Sequence, residues 1–96
     1  MARKKAPEPP HPGVFVKSII DGLGLSINAF ARKLDMSSAA VQRLVVGKSN
    51  LSPEMAVRLS ATIGETEMEW MGRQAAYDLH IARNHVDVSQ LERLRQ

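Results

Sequence analysis

Arg43 and Gln42 are the side chains of this sequence best suited to reading another molecule's hydrogen-bonding pattern. Arginine carries a planar fork of donors that matches the O6 and N7 acceptors of guanine, a pairing that discriminates against the wrong base by about 1–3 kcal/mol. Glutamine matches the donor and acceptor of adenine, or holds a phosphate. Both lie in the stretch Ser37-Ser38-Ala39-Ala40-Val41-Gln42-Arg43. Ser37, Ser38, Ala39 and Ala40 are expected to read bases beside them, the two alanines by apolar contact with a thymine methyl. Ser26, Asn28, Lys48, Ser49 and Asn50 surround this stretch and are expected to hold backbone phosphate, helped by free amides at the helix starts. The competing reading of Arg43 is a solvated or phosphate-bound arginine.

Residue types that could support catalysis are poorly placed. There is no cysteine, no glycine-rich phosphate loop and no H-E-x-x-H. His80 and His85 are five apart, which does not bring both to one helix face, and His11 falls in a proline-rich opening segment. Asp78 beside His80 reads as a helix-surface pair and not as a metal site. The expectation is therefore a protein that is not an enzyme and holds no metal or cofactor.

The elements that must position Arg43 are legible around it. Phe30 and Leu34 share one face of a first short helix, and Val41, Leu44 and Val45 share one face of a second. Between them, Asp35 is a residue type that enters the left-handed region cheaply and can end the first helix. Ser37 can cap the second by accepting its free amides. Small Ala31 lets the second helix cross close above the first. This is the helix-turn-helix layout, in which the second helix enters the DNA major groove.

Three further helices frame that pair. Residues from Pro12-Gly13 to Leu23-Gly24 carry Val16, Ile19, Ile20 and Leu23 on one face. Ser52-Pro53-Glu54 starts a fourth helix, with the serine as cap and proline at the first position, and Ala56, Leu59 and Ile63 face inward until Gly64. Thr66-Glu67-Met68-Glu69 is a capping box for a fifth helix that runs to about Arg83. That helix is apolar on two sides: Met68, Met71, Ala75 and Leu79 form one stripe, and Trp70, Tyr77 and Ile81 another. Two stripes call for two partners, the domain body and a second subunit, with Trp70, Tyr77 and Ile81 expected at the subunit interface; the competing reading is deeper burial within the chain by the first helix or the tail. Residues 1–12, with Arg3-Lys4-Lys5 and four prolines, are expected to be a flexible arm, and residues 84–96 a polar tail in which Ser89 to Arg95 can form a short amphipathic turn.

Ninety-six residues make one domain, residues 13–83, with a mainly aliphatic core: 44% of residues are hydrophobic but only four are aromatic. The absence of cysteine excludes disulfide staples and thiolate metal sites and suits a reducing cytoplasm. No apolar run approaches the length of a membrane span. Charge is unevenly divided. Residues 1–53 carry eight basic residues against three acidic ones, whereas residues 54–96 carry five against seven, and residues 37–51 contain no acid. The positive half holds the helix-turn-helix, the sign needed to meet phosphate.

The order of elements resembles lambda-repressor-like domains over most of residues 13–64. A narrower resemblance rests on His11-Pro12-Gly13, on Leu44-Val45-Val46-Gly47-Lys48 followed by Leu51-Ser52-Pro53, and on Trp70, Gln74 and Tyr77-Asp78-Leu79, which is similar to the W-x-x-x-Q-x-x-Y-D-L element of the HigA antitoxins. The resemblance implies a five-helix, all-α, lambda-repressor-like fold and a small antitoxin of a type II toxin-antitoxin pair. Such proteins dimerise, bind operator DNA, repress their own operon and neutralise a HigB-type toxin that cleaves mRNA. Gln74 joins Trp70, Tyr77 and Ile81 at the expected dimer interface. The chain departs from the wider pattern at Asp35, where many relatives have glycine, and at Ile27, where many have a phosphate-touching glutamine. Two other functions stay open: an interaction module that sequesters its partner without specific DNA binding, and a stand-alone phage-like repressor.

Overall fold

In the computed structural model, which describes residues 8–95, each of five helices opens on a side chain that accepts a hydrogen bond from the helix's own first turn. The first amides of a helix lack partners inside it, so these acceptors fix where each one begins. Helix α1 spans Pro12–Gly22, α2 Ile27–Lys33, α3 Ser38–Val45, α4 Pro53–Thr62 and α5 Glu67–His85. Ser26, Ser37 and Ser52 each accept from the amide three residues on at 3.1 Å, and Thr66 accepts from that of Glu69 at 3.0 Å. The Glu69 carboxylate accepts in return from the Thr66 amide at 3.0 Å, which completes the capping box and holds its pKa below the usual glutamate range. These starts agree with the sequence reading. The architecture is all-α, with no strand among the described residues, and no single described helix is long and apolar enough to cross a membrane.

The opening of α1 corrects the sequence reading. His11 is not in a flexible arm: it is buried and caps α1, its Nδ1 accepting from the Gly13 amide at 2.9 Å. Pro12 takes the first helical position, where a missing amide costs nothing. Gly13 then has a reason to be glycine. A Cβ there would lie 1.9 Å from the backbone oxygen of Leu44, so α1 rests directly on the last turn of α3. The His11 ring meets Tyr77 edge-on at 5.0 Å, which ties the same corner to α5. The basic triad Arg3-Lys4-Lys5 lies outside the described residues.

The core sits where the helices converge. Val16 and Ile20 of α1, Phe30 and Ala31 of α2, Val41 and Leu44 of α3, Met55, Ala56 and Leu59 of α4, and Trp70 of α5 are all buried, with Leu34 and Leu51 from the connecting turns. Leu23, expected on the inner face of α1, is exposed because the helix ends one residue earlier and the chain turns away. Ile19, Met36 and Ile63 pack at the margin.

Helix α5 buries part of the stripe expected at a second subunit, although Met71 of the other stripe also packs against the core. Trp70 is fully buried and its indole N–H donates to the Gly64 carbonyl at 3.0 Å. Phe15 packs against its ring, and the Arg73 guanidinium lies over both aromatics. Gln74 is buried four residues on, and Tyr77 is half-buried against His11. Trp70 and Gln74 are therefore not available to a second subunit. Met68 and Leu79, which the pattern placed with the core, are exposed together with Val86. After α5 there is no further helix among the described residues. One turn closes from the Leu91 amide to the Val88 carbonyl at 3.0 Å, and Leu91 and Leu94 are exposed.

Replacing Gly13 by alanine should lower stability by about 2–3 kcal/mol, because the new methyl meets backbone that has no rotamer to yield. A urea titration checks this, with the midpoint expected to fall at an unchanged slope.

Candidate nucleic-acid interface

Helix α3 has eight residues and so is about 12 Å long, close to the width of the DNA major groove. Val41 and Leu44 are buried on its inner side. At 100° per residue, Ala39, Gln42, Arg43 and Val46 fall on the opposite side, and all four are exposed. Ser37 is exposed, although its hydroxyl is committed to the Ala40 amide; Ser38 and Ala40 are half-buried flanks. Of the six expected base-reading positions, the outward face thus gathers Ala39, Gln42 and Arg43, with Val46 as an addition that the sequence reading did not select.

The turn before α3 is held from outside. Asp35 sits at φ +55°, the left-handed conformation inferred from its type. Arg58 of α4 donates through Nη1 to the carbonyls of Leu34 at 2.8 Å and Asp35 at 3.2 Å, and through Nη2 to Glu54 at 2.9 Å. These carbonyls end α2 and would otherwise lack partners. Arg58 was missed in the sequence because it lies between the inward positions Ala56 and Leu59 of an amphipathic helix, where a basic residue reads as solvated. The Glu54–Arg58 spacing of four is a signal that its head is steered along the helix.

The turn after α3 is equally specific. The Gly47 amide donates to Leu44 at 3.0 Å and the Lys48 amide to Arg43 at 2.8 Å, a pair of bonds that closes the helix end and requires the φ of +79° found at Gly47. Lys48 and Asn50 are exposed and Ser49 is half-buried. Gln74 reaches this loop from α5. Its Oε1 accepts from the Leu51 amide at 2.6 Å, and its Nε2 donates to Asn50 Oδ1 at 3.3 Å and to Asp78 Oδ1 at 2.9 Å. Ser26 and Asn28, at the start of α2, are exposed, the Ser26 hydroxyl being taken by the Ala29 amide. Ile27 packs against the core. Ile81, the last of the expected interface residues, is 36% exposed.

Two crossed helices joined by a clamped turn, with one polar and basic face left to solvent, define a helix-turn-helix protein. The chain belongs to the Helix-turn-helix family, which its residues 16–71 match. It is similar to an uncharacterised HTH-type transcriptional regulator, YddM, of Escherichia coli (strain K12), at 40% identity over 85 residues covering 88% of this chain and 90% of the relative. Among solved structures, it is similar to a Pseudomonas aeruginosa protein in complex with its 18-bp operator DNA, with 27% identity, a TM-score of 0.84 and coverage of 93% of this chain and all of the other. It is similar also to the Pseudomonas aeruginosa antitoxin HigA with the higBA promoter, with 28% identity, a TM-score of 0.81 and coverage of 91% and 99%. The five-helix fold is that of helix-turn-helix antitoxin and antidote proteins.

Arg58→Met keeps the apolar stem but strands the Leu34 carbonyl, and should cost about 1–3 kcal/mol of stability by urea titration. Glu54→Ala removes only an exposed ion pair and should cost less than about 1 kcal/mol. Equal effects would show that Arg58 acts through Glu54 and not through the turn.

Proposed function

We propose that this protein is the antitoxin of a type II toxin-antitoxin pair. As a dimer in the cytoplasm it binds operator DNA upstream of its own operon, represses that operon, and neutralises a HigB-type mRNA-cleaving toxin. The observation that carries the DNA half is the outward face of α3, where Gln42 and Arg43 stand free on a helix whose other side and both ends are fixed. Arg43 reads guanine, Gln42 reads adenine or holds phosphate, and Ala39 contacts a thymine methyl. Ser37, Ser38 and Ala40 flank this contact, and Ser26, Asn28, Lys48, Ser49 and Asn50 set the register on the backbone.

One such surface reads few bases. Two copies related by a two-fold axis would read two half-sites about one DNA turn apart and gain both affinity and specificity. The exposed Met68, Leu79 and Val86 on the outer side of α5 support a second subunit there, in place of the buried Trp70 and Gln74. Toxin neutralisation is supported by the H-P-G and W-x-x-x-Q-x-x-Y-D-L elements and by the similarity to the HigA structure.

The test is a titration of the purified protein against its own upstream DNA and a scrambled control, at two salt concentrations. Tight binding to its own DNA alone, weakening with salt, is expected. Arg43→Ala should reduce the preference for that DNA by about 10- to 100-fold while leaving nonspecific binding nearly unchanged. Equal weak binding to both DNAs by the unmodified protein would favour partner sequestration without DNA recognition.

A further inference from the structure

We infer that Gln74 is a positioning residue for DNA binding, fixing which end of the Asn50 amide faces the phosphate backbone. The inference rests on the DNA-binding reading above and adds a role on α5, outside the helix-turn-helix itself.

The polarity of the hydrogen bonds leads to it. A glutamine amide offers one acceptor atom and one donor nitrogen, so its two ends are not interchangeable. Asp78 Oδ1 is an acceptor, and it takes Gln74 Nε2 at 2.9 Å. That contact turns Gln74 Oε1 towards the Leu51 amide, which donates to it at 2.6 Å. The second hydrogen of Nε2 then points to Asn50, and only the Asn50 oxygen can accept it, at 3.3 Å. With its oxygen turned inward, exposed Asn50 presents its NH2 group outward. A phosphate oxygen accepts from NH2 and repels a carbonyl oxygen. The chain from Asp78 through Gln74 to Asn50 therefore sets the sign of the loop's contact with DNA, beside the charge of Lys48. Gln74 is only 4% exposed, so its amide finds few competing partners in water. The Leu51 bond also holds the loop at the point where it enters α4.

Gln74→Glu, made in an Asp78→Asn background so that no two carboxylates face each other and the net charge is unchanged, separates this role from simple support of the loop. The carboxylate still accepts from the Leu51 amide but has no hydrogen to give to Asn50, so the Asn50 amide reverses and turns its oxygen to the phosphate. Affinity for the protein's own upstream DNA should fall about tenfold, the worth of one hydrogen bond to a charged group. The slope of log affinity against log salt should change little, since no cation is removed. Asn50→Ala, at an exposed position that does not threaten folding, should lose about the same, and Gln74→Glu should cost nothing more once Asn50 is alanine. The Asn50 side-chain NH2 resonances give a readout independent of DNA: they face water in the unmodified protein and should shift and exchange more slowly in Gln74→Glu, where the reversed amide donates inward to the carboxylate. Unchanged affinity in folded Gln74→Glu, or losses that simply add in the double variant, would overturn the inference. Failure of the unmodified protein to prefer its own DNA would instead overturn the DNA-binding reading, while the amide resonances would still report whether Gln74 orients Asn50.

Discussion

The backbone of α1 touches the backbone of α3 at Gly13 and Leu44, and the placement of the exposed helix depends on that contact. A recognition helix is useful only if its free face is held at a fixed angle to the rest of the molecule, yet eight residues bury too little to hold it alone. The inner side of α3 contributes just Val41 and Leu44 as fully buried side chains. The missing constraint comes from a neighbour that approaches to backbone distance, which only a residue without Cβ allows. His11 and Pro12 exist in this arrangement to start α1 at the one place where that approach occurs, and Tyr77 closes the corner from α5.

Two polar clamps complete what the glycine begins. Arg58 holds the turn that leads into α3 through carbonyls at the end of α2, and Gln74 holds the loop that leaves it through the buried Leu51 amide, each from a different helix. The hydrophobic core therefore sets the fold, while single side chains from α4 and α5 set the two segments that flank the proposed DNA-reading face. Their strength is in direction and not in magnitude. A buried amide that can be satisfied in only one orientation specifies a geometry that apolar packing alone would leave loose.

Much of this was legible in the sequence. Ser26, Ser37, Ser52 and Thr66 announced four helix starts through capping chemistry that acts within four residues, and Asp35 announced the left-handed turn by its type. What was not legible depended on contacts between distant elements. His11 looked like part of an arm because proline density says nothing about what a segment packs on. In α5 the two apolar stripes offered no local reason to choose which one the domain body covers, and distant contacts decide it: Phe15 and the Gly64 carbonyl hold Trp70 inward. The buried Leu51 amide, 23 residues away, is what draws Gln74 inward, and no local pattern encodes that need. Arg58 was hidden for the same reason, since its partners are carbonyls 23 and 24 residues earlier.

The central claim is that α3, so held, reads DNA as one half of a two-fold pair. Hydroxyl-radical footprinting of the protein on its own upstream DNA tests it most directly. Two protected patches about one helical turn apart, symmetric about their midpoint, are the result expected from paired recognition helices. A folded protein that leaves this DNA as uniformly cut as an unrelated duplex would contradict it.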